Sequence, residues 1–463
     1  MSLYYARLNR FICGCFRSSR SNLSGKPVVS QVCATTPGPA ATGPIPWVAK
    51  TAGLSYAFPV KLGLGLYRHQ LNAEHYRFAK QCGCTHLVIH LVDYFRSSRL
   101  RGDEAASAAQ ARSNQPGPSS VTPVLSILRS SATAEDGRSS TAEGGLRRVD
   151  DQPVGDDTGW GLAGDPNQLW TYAELAAIKK EINAAGLELE AIENFDPAHW
   201  HDVLLDGPKK LQQLENLKTI IRNVGQAGIP VFGYNFSIAG VAGRIKGRFA
   251  RGEAEAVGMD GPLDKPLPNG MVWNMVYDRN AAPGIVPSAT PEQLWQRLKV
   301  FLDALVPVAE AAGVTLAAHP DDPPLPTVRT QPRLVYQPQL FQKLIDLKPS
   351  PRNALEFCVG TLAEMSEGDI YDVVDTYSRQ GKLAYVHLRN VRGKVPSYKE
   401  TFIDDGDVDV LRVLRILQKN NFNGVIIPDH APQMSCAAPW HAGMAYALGY
   451  LRAGLKTIGN EQG

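Results

Sequence analysis

The sequence predicts an α/β fold in which eight parallel strands alternate with helices and close into a barrel. Three observations support this prediction: eight short apolar runs recur along the chain, amphipathic stretches of helical period lie between most of them, and several of these stretches end in a glycine that stops a helix. Eight strand-helix units favour a closed (β/α)8 barrel over an open doubly wound sheet. The run "GLGLYRHQ" after the first strand also lacks the spacing of a dinucleotide-binding loop.

The predicted strands are short and apolar, as expected for parallel strands that are buried on both faces. In chain order they are "VKLGLGL" (60–66), "THLVIHLV" (85–92), "GLELEAIEN" (186–194), "IPVFGYNF" (229–236), "GVTLAAHP" (313–320), "NALEFC" (353–358), "LAYVHLR" (383–389) and "GVIIPD" (424–429). The clearest helices between them are "TYAELAAIKKEINAAG", "LENLKTIIRNVGQAG", "QLWQRLKVFLDALVPVAEAAG" and "DVLRVLRILQKNNF".

Two segments fall outside this pattern. Residues 1–55 contain arginines and many serines but no acidic residue, which predicts a disordered extension or an organellar transit peptide. Residues 96–157, typified by "SSATAEDGRSSTAEGG", have the composition of a low-complexity insertion that loops out of the fold. We therefore predict a catalytic barrel over 56–458, interrupted by this insertion.

Composition limits the possible partners and location. The formal net charge is +3 with no dense Lys/Arg block, so neither nucleic acid nor a membrane surface is an expected partner. No apolar run reaches the roughly 18 residues of a membrane span. Seven sparse cysteines indicate a reducing compartment. We expect a cytoplasmic protein, or a mitochondrial or other organellar one if the N-terminus is a transit peptide, that acts on a small molecule and is compatible with a homo-oligomer.

The ends of the last four predicted strands carry the strongest chemical signal, because active sites of such barrels lie at the C-terminal ends of the strands. These ends are His319, Cys358, His387 and Asp429, and each interval between them fits one helix with its loops. Two imidazoles, a thiolate and a carboxylate suit a divalent transition ion such as Mn²⁺, Fe²⁺, Co²⁺ or Zn²⁺. We therefore predict a metal site with positions open to substrate.

The motifs that carry these residues resemble a known family. Together and at this spacing, "AAHPDDPP", "GYNF", "FCVGT", "VHLR", "DGDVD" and "PDH" resemble the D-mannonate dehydratases, metal-dependent barrel enzymes related to the xylose isomerase-like sugar enzymes. The resemblance covers roughly 60–95 and 159–455. It implies conversion of D-mannonate to 2-keto-3-deoxy-D-gluconate with Mn²⁺ or Fe²⁺, as in glucuronate catabolism, and it implies the same four metal ligands.

The reaction implied by this resemblance requires removal of the C2 proton and loss of the C3 hydroxyl as water, and it assigns roles to further polar strand ends. We expect His430 to transfer protons and Arg389 to face the substrate carboxylate. Asp322 is expected to shape its loop, to orient His319 or to contact sugar hydroxyls. Tyr234 and Asn235 are expected to hold or protonate sugar hydroxyls. The polyol-binding surface is expected to be completed by His90, Glu193 and Asn194.

The chain departs from the family pattern at three positions. Ile427, Ala431 and Met444 stand where the family carries an arginine, a glycine and a tyrosine implicated in proton transfer. Tyr446 and Tyr450 lie close by in a predicted closing helix. The alternatives are a related metal-dependent sugar isomerase or epimerase, a dehydratase of another aldonic acid, and a catalytically silent barrel that acts as a binding protein.

Overall fold

A closed barrel of eight parallel strands forms the centre of the protein; the computed structural model describes residues 60–94 and 161–461 and the backbone of two short strands between them. Each barrel strand pairs in parallel with its neighbours in chain order, and the last closes on the first through Val425 opposite Lys61. The predicted (β/α)8 barrel is confirmed. Its strands are β1 (Lys61–Leu66), β2 (His86–His90), β3 (Glu188–Glu193), β4 (Val231–Tyr234), β5 (Thr315–Ala318), β6 (Asn353–Cys358), β7 (Leu383–His387) and β8 (Val425–Ile427).

Helices surround the barrel and connect its strands. The helix over Pro291–Ala312 shows how the sequence sets their limits: the Thr290 side chain accepts from the Gln293 amide at its start, and Gly313 ends it with a left-handed φ of 73°. The helices are α1 (Ala73–Gln81), α2 (Tyr172–Ala184), α3 (His201–Leu205), α4 (Lys210–Gln226), α5 (Pro291–Ala312), α6 (Gln339–Leu347), α7 (Val359–Glu364), α8 (Ile370–Arg379), α9 (Val410–Lys419) and α10 (Pro439–Asn460). Short 3-10 turns occur at Arg68–Gln70, Pro197–His199 and Arg251–Glu253.

Side chains alternate between the inside of the barrel and the layer of helices. In β4, Val231 packs inside the barrel, whereas Phe232 packs outside it against Phe195, with ring centroids 4.2 Å apart. This alternation decides which strand-end residues can reach the mouth of the barrel. The buried apolar side chains inside are small or branched, apart from one tyrosine: Val88, Ala191, Val231, Ala317, Tyr385, Val425 and Ile427.

Two hairpins leave the barrel after β4 and after β7 and join into one antiparallel sheet. Its four strands lie in the order Asn390–Lys394, Ser397–Thr401, Ala254–Asp260 and Ile245–Ala250. This sheet was not among the predicted elements, because three of its four strands are rich in polar residues and do not stand out as apolar runs. Two smaller antiparallel pairs also form, Met271–Val272 with Met275–Val276 and Thr327–Val328 with Gln331–Pro332.

Two of the predicted segments lie largely outside the described residues. The N-terminal extension at 1–55 lies wholly outside them. Of the insertion at 96–157, only the backbone of an antiparallel pair is described, Arg147–Val149 with Gln152–Val154. The assignment of both segments therefore stays a prediction. Within the described residues, no helix combines the length and the apolar character needed to cross a membrane.

Candidate active site

A polar pocket opens at the C-terminal ends of the barrel strands. It encloses about 510 Å³ of empty space, counting the part that is open to solvent. Residues from seven of the barrel strands or the loops that follow them line the pocket, including these predicted site residues: His90, Glu193, Asn194, Asn235, His319, Asp322, His387, Asp429 and His430.

The four predicted metal ligands lie together at this mouth. Donor atoms of His319, Cys358 and His387 all lie within 4.8 Å of one another. Asp429 joins them, because its Oδ2 lies 3.9 Å from Sγ of Cys358 and its Oδ1 lies 3.5 Å from Nδ1 of His387. Asp429 has a left-handed φ of 63°, a conformation that is uncommon outside glycine and occurs often at functional sites.

The donor set fits a divalent transition ion. Both ring nitrogens of His387 are buried and have no hydrogen-bond partner among the described residues. Nδ1 of His319 lies 2.6 Å from the Pro320 carbonyl oxygen. Since that oxygen can only accept a hydrogen bond, Nδ1 carries the hydrogen, and the unprotonated Nε2 is the atom available to coordinate a metal. Burial opposes ionisation of Cys358, but Arg389, His319 and His387 outweigh it and lower the pKa of the thiol to about 5.

Arg389 is a correction to the sequence analysis, which expected it to face a substrate carboxylate. The side chain is only 1% exposed, and its Nε donates to Asp429 at 3.1 Å. Its Nη1 donates to Glu364 at 2.5 Å, and its Nη2 donates to Asp322 at 2.9 Å and to Thr361 at 3.2 Å. Every nitrogen of the guanidinium therefore already has a partner within the protein, and Arg389 does not line the pocket.

Thr361 connects Arg389 to the donor set. Its backbone amide and its hydroxyl both donate to Sγ of Cys358, at 3.4 and 3.2 Å, and the amide contact caps the start of α7. Cys358 thus has hydrogen bonds that favour the thiolate, and Arg389 holds both Asp429 and Thr361. The network orients two of the predicted ligands from behind.

Tyr234 is a second correction. It is the last residue of β4, but its ring points away from the barrel and packs on Phe301 of α5, with centroids 5.0 Å apart. The side chain is fully buried, and its hydroxyl has no hydrogen-bond partner among the described residues. Alternate residues of a strand face opposite sides, so Gly233 and Asn235, which flank Tyr234, face the inside of the barrel. Asn235 therefore lines the pocket and Tyr234 does not.

His430 lies between two carboxylates. Its Nδ1 is 3.0 Å from Oε1 of Glu400, which stands on the second hairpin, and its Nε2 is 3.3 Å from Oδ1 of Asp429. Burial disfavours the imidazolium, but Asp429 and Glu400 outweigh it and raise the pKa of His430. Glu400 was not singled out from the sequence.

The predicted hydroxyl-binding residues form one wall of the pocket and are held by further contacts. His90 stacks on Tyr67 with centroids 4.6 Å apart, and its Nε2 lies 3.6 Å from Oε2 of Glu193. Asn194 donates to the Tyr94 hydroxyl at 3.2 Å. The Asn235 side chain donates to the Pro320 carbonyl at 3.1 Å, and its oxygen accepts from the Trp273 indole at 3.2 Å.

A buried glutamate that the sequence analysis missed lies behind His387. Oε1 of Glu356 is 3.4 Å from Nε2 of His387, and neither carboxylate oxygen has a hydrogen-bond partner among the described residues. Burial and the adjacent Glu193 carboxylate raise the pKa of Glu356 well above its usual range. The sequence did carry a signal for it. Glu356 is the only charged residue in the strand Asn353–Cys358, and it lies two residues before Cys358 and therefore faces the same side.

The residues near the family tyrosine position do not enter the pocket. Met444 is 3% exposed and belongs to the hydrophobic core. Tyr446 is partly exposed and lies against Phe402 and Arg251. Tyr450 packs at the edge of the core. Neither tyrosine lines the pocket.

The fold and the site together define a (β/α)8-barrel enzyme whose chemistry takes place at the C-terminal ends of the strands. A family model described as D-mannonate dehydratase (UxuA) matches residues 140–244 and 287–456. These ranges include all four predicted metal ligands. The chain therefore belongs to the D-mannonate dehydratase family, whose members are hydro-lyases.

Individual relatives agree with this assignment. The mannonate dehydratase of Streptococcus equi subsp. zooepidemicus is 30% identical over 279 residues, which cover 57% of this chain and 75% of the relative. The mannonate dehydratase of Geobacillus thermodenitrificans is 29% identical over 284 residues, covering 57% and 76%. The crystal structure of mannonate dehydratase from Streptococcus suis serotype 2 has a TM-score of 0.62 at 21% identity and covers 88% of this chain and 95% of that one, which shows a common fold.

Proposed function

We propose that this protein dehydrates D-mannonate to 2-keto-3-deoxy-D-gluconate. The reaction removes the proton on C2 and the hydroxyl on C3 as one molecule of water, and the resulting enol rearranges to the 2-keto acid. Family membership supports the reaction class, and one observation of the site carries the proposal: donor atoms of His319, Cys358 and His387 lie within 4.8 Å of one another at the mouth of the barrel.

We further propose that His319, Cys358, His387 and Asp429 hold a divalent transition ion such as Mn²⁺ or Fe²⁺. The mixed set of nitrogen, sulfur and oxygen donors suits such an ion and not Ca²⁺. The ring nitrogens of His387 support the proposal. They are buried and make no hydrogen bond among the described residues, with carboxylate oxygens only at 3.4 to 3.5 Å, and a buried polar atom without a hydrogen bond costs free energy unless a ligand satisfies it. When bound, the ion would supply Lewis-acid stabilisation of the negative charge that develops next to the substrate carboxylate.

His430 is the proposed proton-transfer group. Its Nδ1 donates to Glu400, which fixes the orientation of the ring and leaves Nε2 on the side of Asp429 and the donor set. An imidazole in this position can give a proton to the departing C3 hydroxyl or take one from C2. Arg389 acts only through the groups that it holds, Asp429, Asp322 and Thr361, and is a positioning residue.

Substrate hydroxyls would contact the opposite wall of the pocket. The polar residues on this wall are His90, Glu193, Asn194 and Asn235, all of which line the pocket. The contacts of His90 with Tyr67 and of Asn235 with Trp273 hold these two side chains in place before substrate binds. A preorganised polar wall of this kind discriminates between sugar acids by the positions of their hydroxyl groups.

The test is to supply the purified protein with Mn²⁺ and D-mannonate and to measure 2-keto-3-deoxy acid by its chromogenic assay, with His430→Asn as the inactive comparison. We expect product from the unchanged protein and about one ion per chain. Product from another aldonate alone would overturn the substrate. Conversion of an aldose to a ketose without loss of water would favour an isomerase. Bound metal without turnover of any aldonate or aldose would favour a binding protein.

A further inference from the structure

Two buried arginines at the barrel mouth differ in whether their guanidinium nitrogens make hydrogen bonds within the protein. The guanidinium of Arg389 has protein partners for all of its nitrogens. Arg244 is 7% exposed and lines the pocket, yet its Nη1 is buried without a hydrogen-bond partner among the described residues. Its nearest acidic atoms are Oε1 of Glu400 at 3.6 Å and Oδ2 of Asp322 at 3.9 Å, both beyond hydrogen-bonding distance.

The position of Arg244 follows from the inserted sheet. Arg244 directly precedes the strand Ile245–Ala250, so the base of the first hairpin carries its side chain to the pocket that also contains His319 and His430. Glu400 reaches the same place from the second hairpin. The two carboxylates beside Arg244 compensate part of its charge and so reduce the free-energy cost of burying the cation. They do so without accepting a hydrogen bond from Nη1.

We propose that Arg244 binds the carboxylate of the substrate and determines that the site accepts sugar acids in preference to uncharged sugars. This inference rests on the proposed function and assigns one of its contacts. A guanidinium presents a planar pair of donors that matches a carboxylate, and a buried, unpartnered donor gains more from such a contact than an exposed one. Arg389 cannot serve in this way, since its donors are already bonded to Asp429, Glu364, Asp322 and Thr361.

The test compares two probes that differ only at C1: D-mannonate, and D-mannitol, in which a hydroxymethyl group replaces the carboxylate. Binding of both to the Mn²⁺-supplemented protein is measured by calorimetry in a His430→Asn background, which keeps D-mannonate unreacted. We expect D-mannonate to bind at least about tenfold more tightly than D-mannitol. Adding Arg244→Gln should weaken D-mannonate binding roughly 10- to 100-fold and leave D-mannitol binding unchanged.

Two further variants keep the test decisive. Arg244→Lys keeps the charge beside Glu400 and Asp322 but removes the fork, so it should fold normally and lose part of the preference for the acid. Arg248→Gln removes the same charge from the strand that Arg244 precedes, at a side chain that is 77% exposed, and should change neither affinity. A melting temperature and metal content equal to those of the background protein establish that each variant is intact.

The outcomes separate this inference from the proposed function. Equal weakening of both probes by Arg244→Gln, no weakening of D-mannonate, or no D-mannonate binding before the change would overturn the role of Arg244. Dehydration of D-mannonate is measured separately on the protein with His430 intact. If that reaction is absent while Arg244→Gln abolishes the preference for D-mannonate over D-mannitol, the proposed function fails and the carboxylate contact stands.

Discussion

Nδ1 of His430 lies 3.0 Å from Oε1 of Glu400, so a carboxylate from an inserted hairpin orients an imidazole at the end of the last barrel strand. The two residues come from different parts of the fold, since His430 follows β8 and Glu400 lies in the sheet that grows out after β7. The hairpin is therefore part of the candidate active site.

Glu400→Ala should lower kcat by roughly 10- to 100-fold without raising KM. The rate falls because the His430 imidazole loses the acceptor that orients it. KM does not rise, because Glu400 is a negative charge beside Arg244 and its removal does not weaken the binding of an acidic substrate. Glu400→Gln should recover part of the rate, because its amide oxygen can still accept from Nδ1. Steady-state kinetics on D-mannonate measure both, with Glu253→Ala, whose side chain is 78% exposed, as the matched control. A loss expressed only in KM would contradict the assignment.

Cys358→Ser should reduce the metal content of the protein after dialysis, because a neutral hydroxyl is a far weaker ligand than a thiolate. Elemental analysis of dialysed protein measures the ratio of ion to chain. Cys436→Ser makes the same change at an exposed free cysteine and should leave the ratio unaltered. If Cys358→Ser retains as much metal as the unchanged protein, Cys358 does not belong to the ligand set.

Arg389→Met should destabilise the protein by about 3 to 5 kcal/mol, because it leaves the buried carboxylates of Asp322, Glu364 and Asp429 without their common cation. Urea denaturation followed by circular dichroism measures the change. Arg392→Met breaks a pair with Asp405 in which the arginine side chain is 59% exposed, and its stability should stay close to that of the unchanged protein. Equal effects of the two substitutions would show that the buried network contributes no more than a surface ion pair.

Gly233→Ala should cost about 1 to 3 kcal/mol of stability through overpacking, because a Cβ at this position would collide with the Tyr385 hydroxyl and the Glu356 carboxylate inside the barrel. Gly449→Ala is the matched control. It lies in α10, where the added methyl would meet no described atom within 4 Å outside its own helix backbone, and there alanine should be neutral or stabilising by up to about 1 kcal/mol. Thermal and urea denaturation compare the two variants. An unaffected Gly233→Ala protein would show that Glu356 and Tyr385 can move aside.

Tyr234→Phe should keep both kcat and stability, the latter to within about 1 kcal/mol. The hydroxyl that it removes is buried without a hydrogen-bond partner among the described residues, and the ring keeps its contact with Phe301. The same assay and denaturation experiments apply. A tenfold or larger fall in kcat at unchanged stability would return Tyr234 to the active site, as the sequence analysis had expected.

Much of the site was predictable because it obeys the regular geometry of the barrel. Apolar runs marked the strands, and the rule that chemistry lies at their C-terminal ends led to His319, Cys358, His387 and Asp429 before their distances were known. Tyr234 shows where this reasoning fails, because a strand end alone does not tell which face a side chain takes. Arg244 and Glu400 escaped it for another reason: they lie on hairpins outside the strand-helix repeat.

The sequence by itself determined the barrel and predicted which end carries the active site and which four residues hold a metal, because hydrophobic period and strand spacing are local properties that a single chain displays directly. Only the tertiary structure decided which arginine is available to a ligand. Arg389 stands at a strand end and Arg244 does not. The donors of Arg389 are nevertheless taken up by Asp429, Glu364, Asp322 and Thr361, whereas Nη1 of Arg244 makes no hydrogen bond to any described residue. Such partners come from segments far apart in the chain, so their competition for one guanidinium appears only when the fold brings them together.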